Sequence, residues 1–329
     1  MADAWVVLNK IAVMFLVMLA GWLLCRRGLL AAPFQSALGR LVVDGTFPAL
    51  VFTQMLTTVS RDSLRASLWV PALGLVIMVL AATIGLLAAR GLRNAAQRPT
   101  FAFVASMPNW VYLPLPIVLG LFGAEGVRTV LLFNLGAQIF LWTGSVAMIR
   151  GKLEREDLRQ LVTNPGLLAT IAGIAVALLV PGASDWGTAT GDRGTGWLAG
   201  IAVQALTMVG SLTIPLSLLV TGAQLSGLAW DDPGHRGPVA GVVVLRLLVA
   251  PAVTIVLLHL AVLAGLPLTD IARHTIYLIS AMPVAISCSM FAERFGGDVR
   301  LSAATIFAST LLSLATVPAL YAATRALGW

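Results

Sequence analysis

The sequence predicts an all-α integral membrane protein whose ten transmembrane helices form two inverted repeats of five. Three observations carry this reading. Of 329 residues, 59% are hydrophobic and only 11% charged, with a mean hydropathy of +0.94, a composition that excludes an ordinary soluble domain. The apolar residues fall into runs of about 20, the length that crosses a bilayer as a helix. Two of these runs, one in each half, are interrupted by proline in the same way.

In chain order, the first five runs lie at 5–24, 34–56, 67–89, 101–122 and 127–149. The first is too long for the apolar core of a signal peptide, so it reads as a span. The longest polar stretch follows at 150–164, RGKLEREDLRQLVTN, and reads as a solvated helical connector. Five more runs lie at 165–180, 197–225, 239–264, 274–291 and 301–327. The expected organisation is therefore a first repeat at 1–149, a connector at 150–164 and a second repeat at 165–329.

The interrupted runs are the centre of the sequence. Residues 106–128 hold Pro108, Pro114 and Pro116 within an otherwise apolar stretch, and residues 281–300 hold Pro283. Both open on Met-Pro, and both close on a similar signature, Phe122-Gly123-Ala124-Glu125-Gly126-Val127-Arg128 and Phe295-Gly296-Gly297-Asp298-Val299-Arg300. A proline inside a helix donates no N–H and frees the carbonyl four residues earlier. Pro108 would free Val104, Pro116 would free Tyr112 and Pro283 would free Ile279. In hydrocarbon a free carbonyl costs several kcal/mol, so such breaks last only inside protein or beside a watery cavity. Paired breaks at matching places in two halves point to a transporter's binding site near the middle of the membrane.

Other prolines repeat in the same order. Phe47-Pro48-Ala49-Leu50 answers to Ile214-Pro215-Leu216, and Val70-Pro71-Ala72 answers to Ala250-Pro251-Ala252. An odd number of spans per half turns the second copy over relative to the first. The competing account is coincidence among proline-rich helices. Most of the basic residues fall in the connections after spans one, three, five, seven and nine. Positive charge stays inside, so that side is expected in the cytoplasm and both termini outside.

Several polar residues are candidates for the site. Asn109 follows the first break; its amide can hold a carboxylate, or cap a half-helix. A half-helix N-terminus is itself an anion site through its free N–H groups. Tyr112 offers a ring and a hydroxyl in the same break, against the commoner use of an aromatic as packing. Ser287 lies four residues after Pro283; its hydroxyl either meets substrate or bonds back to the helix. Asn134 and Gln138 share one helical face, and Gln224 lies in span seven. Amides there suit a polar solute or bond helix to helix.

Asp44 is the acid clearly within a span, which makes it the candidate for ion coupling. The alternative is an ordinary pair with Arg40, one turn earlier. Arg246, in span eight, either balances an anionic substrate or, more ordinarily, snorkels to the surface. His259 reads as a packed histidine. The two cysteines, Cys25 and Cys288, give no disulfide framework or metal spacing. No zinc-protease, phosphate-loop or serine-hydrolase motif is present, so an enzyme is not expected. The net charge of +7 is scattered between apolar runs and is no nucleic-acid signal.

At these residues the chain resembles the auxin efflux carrier family of membrane transporters. The points of likeness are Asn109 with Leu115-Pro116 and Phe122-Gly123, Ala281-Met282-Pro283 with Ala292 and Phe295-Gly296, and Phe47-Pro48-Ala49-Leu50. The chain departs from the family pattern at Pro114, where glycine is usual, and at Ser287, where asparagine is frequent. The resemblance implies a fold akin to the bile acid–sodium symporters. Spans one, two, six and seven would form a scaffold, often dimeric. The other six would form a transport domain in which spans four and nine cross at their proline breaks. It further implies an elevator-like carrier of an organic anion, malonate-like or auxin-like, in a bacterial cytoplasmic membrane. The substrate-binding set would be Asn109, Tyr112, Pro116, Asn134, Gln138, Pro283 and Ser287. No cofactor is expected; a proton or Na⁺ is the candidate coupling ion. A channel-like anion pore and a membrane sensor on the same fold are the rival readings.

Overall fold

The computed structural model describes residues 2–187, 197–226 and 233–326. The end of the last expected span, residue 327, lies outside them, as does Arg193 in a connection expected outside. The described chain is predominantly helical and forms no sheet, since a backbone with few polar side chains must satisfy its own N–H and carbonyl groups in lipid. Its helices in order are α1 (Ala2–Arg26), α2 (Ala32–Leu41), α3 (Phe47–Thr58), α4 (Arg61–Ser67), α5 (Trp69–Ala89), α6 (Arg98–Ser106), α7 (Pro114–Phe140) and α8 (Val146–Arg150). They continue with α9 (Arg155–Val162), α10 (Pro165–Leu179), α11 (Trp197–Ser211), α12 (Thr213–Leu225), α13 (Arg236–Val244), α14 (Ala250–Leu263), α15 (Asp270–Ser280), α16 (Ser287–Phe295) and α17 (Val299–Ala326).

Among the described residues, five helical stretches are long and apolar enough to cross a membrane. A sixth counts if α9 and α10, bent by 41°, are one span. This is fewer than the ten expected: in the first two runs, Ile11–Arg26 is a shorter apolar helix and 34–56 is divided by a π-turn, and two further features reduce the count. The stretch Pro114–Arg150 is 37 residues long and runs through two expected spans, with Gly123 at φ 59° in its midst. The runs expected at 101–122 and 274–291 are divided into pieces too short to count. Large apolar side chains such as Met208, Leu198 and Leu263 point outward from the bundle. The protein is a multi-pass membrane protein.

Local chemistry accounts for the irregular turns. Two wide π-turns, Val42–Thr46 and Leu245–Val249, each end two residues before a proline, Pro48 and Pro251. A proline ring collides with the carbonyl four residues back, and widening the turn moves that carbonyl aside. A third, Leu141–Ser145, precedes no proline; there the Ser145 hydroxyl donates to the Leu141 carbonyl. The polar connector is helical as expected. Glu154 and Asp157 cap α9 reciprocally, and Arg150 pairs with Asp157 at 3.2 Å. The Lys152 ammonium, with Arg150 beside it, holds the exposed Glu154 carboxyl below the usual range.

Two packing groups emerge. In one, α1 lies against α12, and α3 against α10 and α11. Gly21 and Gly222 bring α1 and α12 so close that a Cβ on Gly222 would sit 1.7 Å from the Met18 carbonyl oxygen. In the other, α5 packs on α6 and α7, α13 on α17, and α7 on α15. The groups touch through α1 with α17 and α3 with α7.

Candidate functional site

The chain leaves helix at 107–113 and again at 281–286, and the two breaks meet. Pro108 and Val284 form an isolated antiparallel bridge. The Asn109 N–H donates to the Pro283 carbonyl at 2.8 Å, and the Ala285 N–H donates to Met107 at 2.9 Å. The Val284 N–H, left over by this exchange, donates to the Ser309 hydroxyl of α17 at 3.1 Å. The carbonyls that Pro108 and Pro283 free are met locally, Val104 by the Met107 N–H at 3.4 Å and Ile279 by the Met282 N–H at 3.2 Å, while the polar groups within the breaks are satisfied across the junction, as a buried break requires.

Both arriving helices end alike. Ser106 and Ser280 stand at their last positions, and each hydroxyl donates to the carbonyl three residues earlier at 2.7 Å. Both departing helices are interrupted after nine residues at a Phe-Gly pair: the first segment of α7 stops at a kink with Gly123 at φ 59°, and α16 ends with Gly296 at φ 79°. Glycine takes a left-handed backbone without steric cost, so the repeated signature is a pair of helix stops. Pro114 and Pro116 do not break α7. They occupy its first turn, where no N–H is needed, and the break precedes them. Pro116, which the sequence reading expected to free the Tyr112 carbonyl within a helix, therefore opens no break of its own.

Asn109 sits at the mouth of α7, 5% exposed. Its Oδ1 accepts from the Tyr112 and Leu113 N–H groups at 3.1 and 3.3 Å. The side chain thus holds the turn that leads into α7, and its Nδ2 remains for another partner. Next in the chain, Trp110 donates its indole N–H to Asn134 Oδ1 at 2.9 Å, and Gln138 donates to the same oxygen at 3.4 Å. That leaves Asn134 Nδ2 and Gln138 Oε1 buried without a partner. A donor and an acceptor with no protein partner in a buried place are expensive unless something polar visits.

Tyr112 is half-buried and packs edge-on against Phe47, ring centroids 5.9 Å apart. The Asp44 carboxylate is near enough to act on it. Asp44 forms no ion pair with Arg40 among the described residues. The π-turn at Val42–Thr46 takes up an extra residue, so side chains four apart no longer stack. Ser287 opens α16, half-buried, and its hydroxyl makes no hydrogen bond back to the helix. Gln224 on α12 takes no part in the junction. His259 is not packed: it is exposed on α14, on the same outward face as Val256 and Leu263.

Arg246 corrects the sequence reading most. It does not snorkel; it is fully buried at 0% exposure. Its guanidinium donates to the Ala105 carbonyl at 3.2 Å and the Ser280 carbonyl at 2.6 Å. These are unpaired carbonyls at the ends of α6 and α15, so the reason is local. Two freed acceptors deep in the protein replace the water that the side chain would otherwise seek. Sequence reasoning passed over Ser309 and Trp110 altogether, because a serine in a long helix and a tryptophan in an apolar run carry no signal of their own.

An open apolar cleft of about 220 Å³ lies between α1, α12 and α17, lined by Phe15, Trp22, Phe307 and Thr310 among others. The Thr310 hydroxyl is buried without a partner and neighbours Ser309 in the chain.

A multi-pass helical protein with two broken helices joined inside it belongs among the membrane transporters. The membrane transport protein family matches residues 6–321, and the chain belongs to it, the auxin efflux carrier family that the motifs resemble. It is similar to an uncharacterized transporter of Methanothermobacter thermautotrophicus, 27% identical over 94% of this chain and 95% of that protein. Another, from Methanocaldococcus jannaschii, is 21% identical over 94% of this chain and 96% of its own length.

Proposed function

We infer that the protein is a secondary transporter that carries a small organic anion, a malonate-like or auxin-like carboxylate, across the cytoplasmic membrane. The observation that carries this reading is the pairing of the two breaks, through Asn109 and Pro283, at the mouths of α7 and α16. Helix N-termini favour anions. The carboxylate is read as lying there, against Asn109 Nδ2, the Ser287 hydroxyl and free N–H groups, with Tyr112, Pro116 and Pro283 shaping the walls. Asn134 and Gln138 supply the unpartnered amide atoms. Asp44, exposed and beside Tyr112, is the residue suited to carrying a coupling proton.

The architecture in this reading is ten spans in two inverted repeats, 1–149 and 165–329, joined by the cytoplasmic connector 150–164, with both termini outside. Spans one, two, six and seven form the scaffold of a homodimer, and the remaining six move as an elevator. Support comes from the packing groups, since α1, α3, α10, α11 and α12 hold to one another while α5, α6 and α7 hold to a second set.

The test is thermal stabilisation of the purified protein by a panel of carboxylates, amines and neutral solutes. Ligand at a hundredfold excess over Kd adds about 2.7 kcal/mol of stability. Carboxylates alone should raise the midpoint, and Asn109→Ala should abolish the rise. A rise with amines or neutral solutes only would replace the anion reading.

A further inference from the structure

A fully buried guanidinium without a carboxylate partner needs an explanation. Arg246 projects from the π-turn between α13 and α14, and among the described residues no acid pairs with it. Burying an unpaired charge is costly, so something else must balance it. The balance comes from the backbone. A helix C-terminus carries roughly half a negative charge, and Arg246 bonds the ends of two, α6 through Ala105 and α15 through Ser280. Two such ends together match one guanidinium.

In carriers built on broken helices, the C-terminal ends and unwound carbonyls of the half-helices are the groups that coordinate a coupling sodium. Here those ends already hold a cation, one tethered to the chain. We propose that Arg246 is a built-in counter-ion that takes the place of a coupling alkali cation, so that the protein works without sodium. The same arrangement sets the sign of the cargo. With the negative helix ends cancelled, the positive ends of α7 and α16 at the junction remain unbalanced, which favours an anion. The proposal deepens the carrier reading above, but the cation test needs no substrate, so either can fail alone.

The experiment compares thermal midpoints of purified wild type, Arg246→Lys, Arg246→Met and Arg246→Ala in choline, sodium and potassium chloride at equal ionic strength. Wild type and Arg246→Lys should show one midpoint in all three salts. Arg246→Met, similar in bulk but neutral, should lose several degrees in choline. Arg246→Ala should lose more, and should regain part of the loss with sodium or with low millimolar guanidinium, which fits the vacated space. Three outcomes would overturn the proposal. One is a wild-type midpoint that rises with sodium over choline. Another is Arg246→Met as stable as wild type, which would make the charge irrelevant. The third is Arg246→Ala equally weakened in every salt and deaf to guanidinium, which would leave only packing. Should Arg246→Ala not fold, wild type and Arg246→Lys still decide, because sodium-dependent stabilisation of either defeats the idea.

Discussion

The Asn109 N–H donates to the Pro283 carbonyl at 2.8 Å across 174 residues of chain, and this bond fixes how the two broken helices relate. With its partner from Ala285 to Met107, it joins the two breaks by backbone alone. A backbone junction does not depend on which side chains surround it, so the surrounding residues are free to serve a ligand. It also makes α6, α7, α15 and α16 one mechanical unit, because moving one break without the other would leave buried N–H and carbonyl groups unpaired.

Asn109 has two separable duties in this arrangement. Its Oδ1 closes the turn before α7 through the Tyr112 and Leu113 N–H groups, and its Nδ2 is read as left for substrate. Asn109→Ala removes both and should cost about 0.5–1.5 kcal/mol of stability along with carboxylate binding. Asn109→Asp keeps the turn-closing oxygen but places a negative charge where the anion would lie. It should melt close to wild type and show no carboxylate-induced shift. If Asn109→Asp binds carboxylates as wild type does, Asn109 closes the turn and does nothing more.

The Ser287 hydroxyl makes no hydrogen bond among the described residues, so Ser287→Ala should leave the midpoint where it is. A hydrogen bond to a charged group contributes about 1.5–3 kcal/mol. Carboxylate affinity should therefore fall by at least about tenfold. Titration of the thermal shift against ligand concentration reads both quantities in one series, and unchanged affinity would remove Ser287 from the site.

Much of this was legible in the sequence, and the rest was not for definite reasons. The Met-Pro openings located the breaks, and Gly123 and Gly296 marked the stops, because proline and glycine restrict the backbone wherever they stand. The connector helix was legible from its charges. Pro116 misled because a proline is as comfortable in a first turn as it is disruptive in a middle one, and spacing alone does not tell which turn it occupies. Arg246 misled because its acceptors are backbone carbonyls of Ala105 and Ser280, which every residue carries. Asp44 and Arg40 have the spacing of an ion pair on a regular helix, and the π-turn that separates them follows from Pro48 only once the helix is seen.

Acid should loosen the junction between α13 and α17. Asp298 lies between α16 and α17, its Oδ1 accepting from the Leu301 N–H at 2.9 Å and its Oδ2 2.9 Å from His235 Nε2. Burial pushes its carboxyl up, but the Leu301 N–H, His235 and Gln97 outweigh this and hold it below the usual range. A carboxyl that is more acidic folded than unfolded contributes stability above the unfolded value of about 3.9, and loses it as pH falls through the folded one. The midpoint should decline between about pH 5 and 3. Asn is as good a cap as Asp, so Asp298→Asn removes the charge alone; it should melt lower at pH 7 and decline less in acid. Parallel pH profiles for the two proteins would show that the carboxylate contributes nothing.

The contact of α1 with α12 should be the least forgiving place in the fold. Gly222 faces the Met18 carbonyl, and a Cβ would lie 1.7 Å from its oxygen; Gly21 faces Leu219 from the other side, with 2.1 Å to its oxygen. These neighbours are backbone, so neither can swing aside, and an added methyl must push the helices apart. In a membrane, close approach through small residues supplies much of the attraction between helices, so separation forfeits contacts along the whole face. Gly222→Ala should cost at least the roughly 1–3 kcal/mol typical of overpacking, read as a lower midpoint. The carboxylate-induced shift should persist, since neither glycine touches the junction of the breaks. Because both glycines hold one interface, the double variant with Gly21→Ala should cost less than the two single losses combined. Once the helices are apart, the second methyl meets open space. Fully additive losses would mean that α1 and α12 adjust independently at the two positions, and that the close approach is not one shared contact.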